Sequence, residues 1–143
     1  MTSAIRRASK SEVYELIGFY GREKFGAEQF AFFRKCVNMA AGMWTGYIDG
    51  DLVCIWGLIP PSLLSEQAYL WLYTTEELKG HEFLFIRRSQ LAVEAMLEQW
   101  PTIVGHAVVD NTRAIKWLKW LGATFGEPQG KLIPFIIRRK ANG

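Results

Sequence analysis

From Leu52 to Trp56 the chain is apolar at every position: Leu52-Val53-Cys54-Ile55-Trp56. A half-exposed strand alternates apolar and polar residues, so an unbroken run of this kind suits a central strand covered on both faces. The run forms the second arm of a hairpin. Met43 to Ile48 reads as a strand, Asp49-Gly50 is a tight-turn dipeptide, and Asp51 to Ile59 is the return strand. Pro60 and Pro61 stop it, because proline cannot donate to a ladder. Ala68 to Tyr73 is a second continuous apolar run and predicts another central strand.

The flanking sequence supplies the covers. Thr2 to Ala8 reads as a short strand, and Ser9 to Glu12 is a capping box opening a helix that buries Val13, Leu16, Ile17 and Tyr20. A second helix starts near Ala27 with Phe30, Phe33 and Val37 on one face, and Gly42-Met43 ends it. After a polar turn, Thr74 to Gly80, a long helix is predicted over His81 to Gln99. Its buried face holds Phe85, Ala92, Val93 and Met96, and its wet face Arg87, Gln90, Glu94 and Glu98. Pro101 leads into a strand, Thr102 to Val109. Asp110-Asn111-Thr112 caps a short helix running through Leu121, with Gly122 as its C-terminal stop. Ala123 to Phe125 and Leu132 to Arg138 read as a closing pair of strands around Gly126 to Gly130. The order predicts an α/β (α+β) fold: one mixed, twisted sheet of about seven strands with helices on both faces, in a single domain of residues 1–143.

Composition narrows the function classes. Half of the 143 residues are hydrophobic, enough for one core, and six tryptophans and nine phenylalanines make it bulky. A net charge of +3 with acids and bases intermixed is too mild for nucleic-acid binding, and no basic stripe interleaves with the aromatics. The one basic cluster, Arg138-Arg139-Lys140, reads as a solvated, fraying tail. Cys36 and Cys54 lie inside apolar runs and read as buried, reduced thiols. His81 and His106 stand far from both in sequence, so no metal-ligand spacing arises. Met1 to Arg7 lacks the apolar core of a signal peptide, and no apolar run reaches transmembrane length, which predicts a soluble intracellular protein.

The stretch Asn111 to Ala123 (Asn-Thr-Arg-Ala-Ile-Lys-Trp-Leu-Lys-Trp-Leu-Gly-Ala) resembles the Asn-x-x-Ala helix of the GNAT N-acetyltransferases, and Ser9 to Glu12 resembles the start of that family's first helix. The predicted element order matches the family across nearly the whole chain. A narrower resemblance rests on Trp44 to Gly50, Cys54 to Pro60 and Trp71 to Thr75. These strings are similar to small bacteriophage and prophage proteins, including the small internal virion protein of short-tailed podoviruses. In that group the fold looks like a GNAT domain reused in virion assembly, which implies protein partners and a location in the bacterial cytoplasm or the virion.

The GNAT resemblance implies acetyl-CoA as cofactor and three chemical needs. The pyrophosphate cradle falls on Glu76 to Glu82, where Lys79, Gly80 and His81 are the candidate contacts. Glu76, Glu77 and Glu82 either repel a diphosphate or stabilise the helix N-terminus. The strand that pairs with the pantetheine arm falls on Leu72, Tyr73 and Thr74. For proton transfer the family commonly uses a tyrosine in the last helix, and Leu118 stands at that position here. His106, Tyr73 and Glu77 are the substitute candidates. Histidine best suits proton exchange near neutral pH, though a lone histidine in an apolar strand is also a common core residue. Asn111 binds cofactor as in the family or merely caps its helix. Trp120 shares a helix face with Arg113 and Lys116; it is either a partner surface or packing under the closing strands. The leading expectation is a phage or prophage GNAT-fold assembly component with a degenerate acetyltransferase site. The alternative is an active acetyl-CoA-dependent N-acetyltransferase acting on an amine.

Overall fold

The computed structural model describes residues 3–21, 27–60 and 67–139. The elements run β1 (Ser3–Arg7), α1 (Lys10–Gly21), α2 (Ala27–Met39), β2 (Gly42–Ile48), β3 (Asp51–Ile59), β4 (Gln67–Thr74), α3 (Glu82–Gln99), β5 (Thr102–Val108), α4 (Thr112–Trp120), β6 (Thr124–Phe125) and β7 (Leu132–Arg138), with a 3-10 turn at Glu76–Leu78. Seven strands form one mixed sheet in the order β1-β2-β3-β4-β5-β7-β6, with helices on both sides. The two apolar runs, on β3 and β4, are therefore neighbours inside the sheet, with β5 beside β4. No helix among the described residues is long and apolar enough to cross a membrane.

The sequence predicts one domain. The chain gathers into two compact units, one of Met1–Ile59 with Trp71–His81 and one of Pro60–Leu70 with Glu82–Gly143, so that β4 contributes to both.

In the first unit the capping box forms: Glu12 N donates to Ser9 Oγ (3.2 Å) while Ser9 N donates to Glu12 Oε1 (3.2 Å). Helix α1 buries Val13 and Ile17, and α2 buries Cys36 and Val37. The two helices are tied by the Tyr14 hydroxyl, which donates to Asn38 Oδ1 (2.5 Å). Helix α2 ends at Met39, earlier than the sequence suggests. Ala41 N already donates to Leu58 O (2.9 Å), and Gly42 and Met43 pair with Leu58 and Gly57 as part of β2. The hairpin turn holds Asp49 at φ 51° and Gly50 at φ 86°, the left-handed pair that an Asp-Gly two-residue turn requires. Trp44 and Trp56 face each other across β2–β3 and stack with centroids 6.2 Å apart. Every residue from Leu52 to Leu58 is buried.

In the second unit the core joins α3 and α4 to one sheet face: Val93, Leu118, Ala123, Ala107, Phe135 and Ile137. Helix α3 begins at Glu82, and Val93 is its only fully buried residue among those described. Phe85, Ala92 and Met96, expected inside, are half-buried. Helix α3 also leans on α4: Trp117 Nε1 donates to Ser89 Oγ (2.8 Å), and the Trp117 ring lies 5.3 Å from Phe85. Arg139, read from sequence as part of a fraying tail, is tied down. Its guanidinium donates to the carbonyls of Leu97 (2.7 Å) and Glu98 (2.5 Å), placing a cation at the negative end of α3.

Candidate functional site

The segment expected to meet the cofactor, Trp71 to His81, belongs to the first unit. It is anchored by Thr75, a buried hydroxyl whose Oγ1 donates to Leu52 O (2.5 Å) and whose backbone N donates to Val53 O (3.0 Å). Those bonds fix where β4 ends and the 3-10 turn begins. Leu72 is half-buried and Thr74 exposed, whereas Tyr73 is buried with its ring 6.1 Å from that of Phe33. That position disfavours Tyr73 as a proton donor to a solvent-borne substrate. Glu77 lies exposed on the 3-10 turn.

Gly80 sits at φ 88°, a conformation L side chains rarely adopt, with open space where a Cβ would point. The backbone N–H groups of Lys79 and His81 are engaged inside the turn, donating to Glu76 O (3.1 Å) and Leu78 O (2.9 Å). The same short segment holds the two buried polar side-chain atoms without a hydrogen-bond partner among the described residues, Trp71 Nε1 and His81 Nδ1. Such atoms are costly to leave unmatched, which makes them places where a ligand or water is favoured.

Two of the three acids counted against a diphosphate are ion-paired. Glu76 meets Lys79 at 2.7 Å, and, in the second unit, Glu82 meets Arg113 at 3.3 Å. Sequence reasoning missed the second pair because its partners are separated by a whole helix and strand.

The second unit holds the other candidates. His106 is exposed on β5, so it is no core histidine. Its Nδ1 lies 2.9 Å from Tyr69 Oη, with ring centroids 5.7 Å apart. Tyr69 on β4 is half-buried and was not singled out from sequence, where it sits in a run read as wholly covered. Register explains the pairing: β4 and β5 run parallel with Gln67, Ala68 and Tyr69 opposite Thr102, Ile103 and Val104, so His106 is the next same-face residue along β5. Beyond Tyr69, β4 continues through Leu70 to Thr74, and beyond Val104, β5 continues through Gly105 to Val108.

Asn111 caps α4, its Oδ1 accepting from Ala114 N at 3.1 Å. Leu118, at the family's tyrosine position, is buried in the core. Trp120 is 53% exposed, so it does not pack under the closing strands. Burial pushes the thiol pKa of Cys54 up to about 12 and that of Cys36 up to about 11, so neither supplies a thiolate nucleophile at neutral pH.

Comparison with solved structures decides the fold. An acetyltransferase from Bacillus cereus described as an IAA acetyltransferase superposes with a TM-score of 0.70 at 9% identity, covering 96% of this chain and 100% of its own. An N-acetyltransferase from Staphylococcus aureus gives 0.65 at 13% identity, covering 96% and 99%. The spermidine N-acetyltransferase of Vibrio cholerae gives 0.66 at 15% identity, covering 95% and 93%. The chain has the GNAT fold. No family model and no curated protein matches the sequence. At these identities the likeness extends to the fold alone, and the comparisons lend no support to the resemblance with phage and virion proteins.

Proposed function

We propose that the chain is an acetyl-CoA-dependent N-acetyltransferase acting on an amine. The observation that carries this reading is the fold, which superposes on solved acetyltransferases over 95–96% of this chain. The backbone amides and carbonyls of an extended segment such as Trp71–Thr74 suit pairing with an extended, amide-bearing chain. The unmatched Trp71 Nε1 and His81 Nδ1 in the same segment fit a polar ligand there, so the residues present suit the cofactor.

The backbone of Leu72, Tyr73 and Thr74 would hold the pantetheine arm. The pyrophosphate would fall to the Lys79 side chain at the turn, with Gly80 allowing close approach. The pair Glu76–Lys79 is solvent-exposed and so weakly held, which leaves Lys79 free to turn to a stronger anion. Asn111 contributes through the helix it caps. Bound acetyl-CoA supplies an acetyl group as a thioester, so a C–N bond forms as the C–S bond breaks and the proton lost by nitrogen ends on sulfur.

The test joins binding to turnover. Saturating acetyl-CoA should raise Tm by roughly 5–10 °C, the shift that 100-fold excess over Kd gives a domain of this size. Free thiol should then appear when a primary amine is added. No shift at millimolar acetyl-CoA and no thiol release across an amine panel contradicts the proposal.

A second reading keeps one observation. Trp120 is exposed on α4 beside the exposed Arg113 and Lys116, a surface that suits a protein partner, as an assembly role in a phage particle would need. Co-purification with particle proteins, abolished by Trp120→Ala and accompanied by no acetyl-CoA shift, favours that role.

A further inference from the structure

For an acetyltransferase, the reading on which this inference rests, the second unit bears on the choice of acceptor. One sheet face of this unit carries α3 and α4 through Ala107, Phe135 and Ile137. The opposite face of the same strands holds Val104, His106 and Val108 on β5, set in register against Ile136, Pro134 and Leu132 on β7. Val108 and Leu132 are 37% and 40% exposed. Tyr69, opposite Val104, completes the face at its β4 side. The face is thus a bed of aliphatic side chains with one polar couple in it, Tyr69 Oη and His106 Nδ1 at 2.9 Å.

Charge decides what such a bed can take. Strands β4, β5, β6 and β7 contain no aspartate or glutamate on either face. The acids that closely follow them among the described residues, Glu76, Glu77, Asp110 and Glu127, lie in turns and are exposed. The cation on this face is Arg138, opposite Thr102 at its far end. A polycation would lose hydration on this face without gaining a counter-charge from its strands, whereas an apolar frame would be sheltered.

We infer that Tyr69 and His106 are the proton-transfer pair, and that the face around them takes a monoamine on an uncharged apolar frame, such as an arylalkylamine or alkylamine, and not a polyamine. With the imidazole in its Nε2–H form, the Tyr69 hydroxyl donates to His106 Nδ1. As the amine nitrogen bonds to the acetyl carbon, its proton passes to Tyr69 Oη while the tyrosine proton passes to Nδ1. The reverse passage releases one proton to the sulfur as the C–S bond breaks, and both side chains end as they began. The pair thus does the work that Leu118 cannot.

The experiment compares kcat/KM for phenethylamine and hexylamine with that for spermidine and spermine, following thiol release from acetyl-CoA. The expected result is a preference of at least about tenfold for the monoamines, the size that pocket contacts of this kind support. Tyr69→Phe and His106→Gln should each lower kcat on the order of 100-fold, the scale of general acid–base catalysis, with the KM for acetyl-CoA and Tm unchanged. Val108→Glu, at an exposed position, should raise kcat/KM for spermidine by about tenfold through a new counter-charge. Equal or better use of spermidine by the unaltered protein, or full kcat in Tyr69→Phe, overturns the inference while leaving acetyl-CoA binding intact. Absence of acetyl-CoA binding overturns it together with the proposal beneath it.

Discussion

Strands β3 and β5 are both interior strands of the sheet, yet they are buried differently. In β3 every residue from Leu52 to Leu58 is buried, so each side chain is committed to packing. In β5 only Ile103, Gly105 and Ala107 are buried, and the alternate residues lie half-exposed or exposed. The same contrast divides two tyrosines of one strand: Tyr73 is buried against Phe33, and Tyr69 reaches the exposed His106. The lesson is that a polar ring becomes available for chemistry where one sheet face lacks a cover, whatever the strand's place in the sheet.

The largest test of that contrast is thiol reactivity. Burial lifts Cys54 on β3 from 9.0 to about 12, so the thiolate fraction at pH 8 falls about a thousandfold against the unfolded chain. Iodoacetamide should therefore spare Cys54 in native protein and label it in urea. The linked stability is fully present below the unfolded pKa and is lost as pH rises from about 9 toward about 12, because the unfolded chain releases its proton first. A urea titration at pH 8 and pH 10.5 checks the sign.

Truncation comes next. Ile55→Ala, at a fully buried position on β3, should cost about 3 kcal/mol in urea denaturation. Gly57→Ala should cost about 2 kcal/mol, since a Cβ there would lie 2.6 Å from the Trp71 indole, which is itself buried. Val108→Ala on the open face of β5 should change stability by less than about 0.5 kcal/mol. A Val108→Ala cost matching that of Ile55→Ala would mean that the β5 face is covered after all.

Much of the fold was legible from sequence because its signals are local. The Leu52 run, the Asp49-Gly50 turn, the Ser9 capping box and the Asn111 cap each act within a few residues, and each forms as read. The candidate site was less legible because its parts meet across long separations. Tyr69 and His106 are 37 residues apart and meet only once the parallel register of β4 and β5 is set. Glu82 finds Arg113 31 residues away, which changes the charge balance expected at the turn before α3. Tyr69 and Tyr73 look alike inside one apolar run, and they differ only in three dimensions, where Tyr73 is buried and packs near Phe33. Arg139 looked like a solvated tail because its partners are backbone carbonyls, which leave no trace in side-chain pattern.

Isothermal titration calorimetry of acetyl-CoA into the unaltered protein tests the account most directly. One site per chain with a Kd below about 1 mM, the span in which enzymes commonly hold their substrates, is the predicted result. No heat of binding at millimolar acetyl-CoA, from protein that unfolds cooperatively in urea, would contradict it.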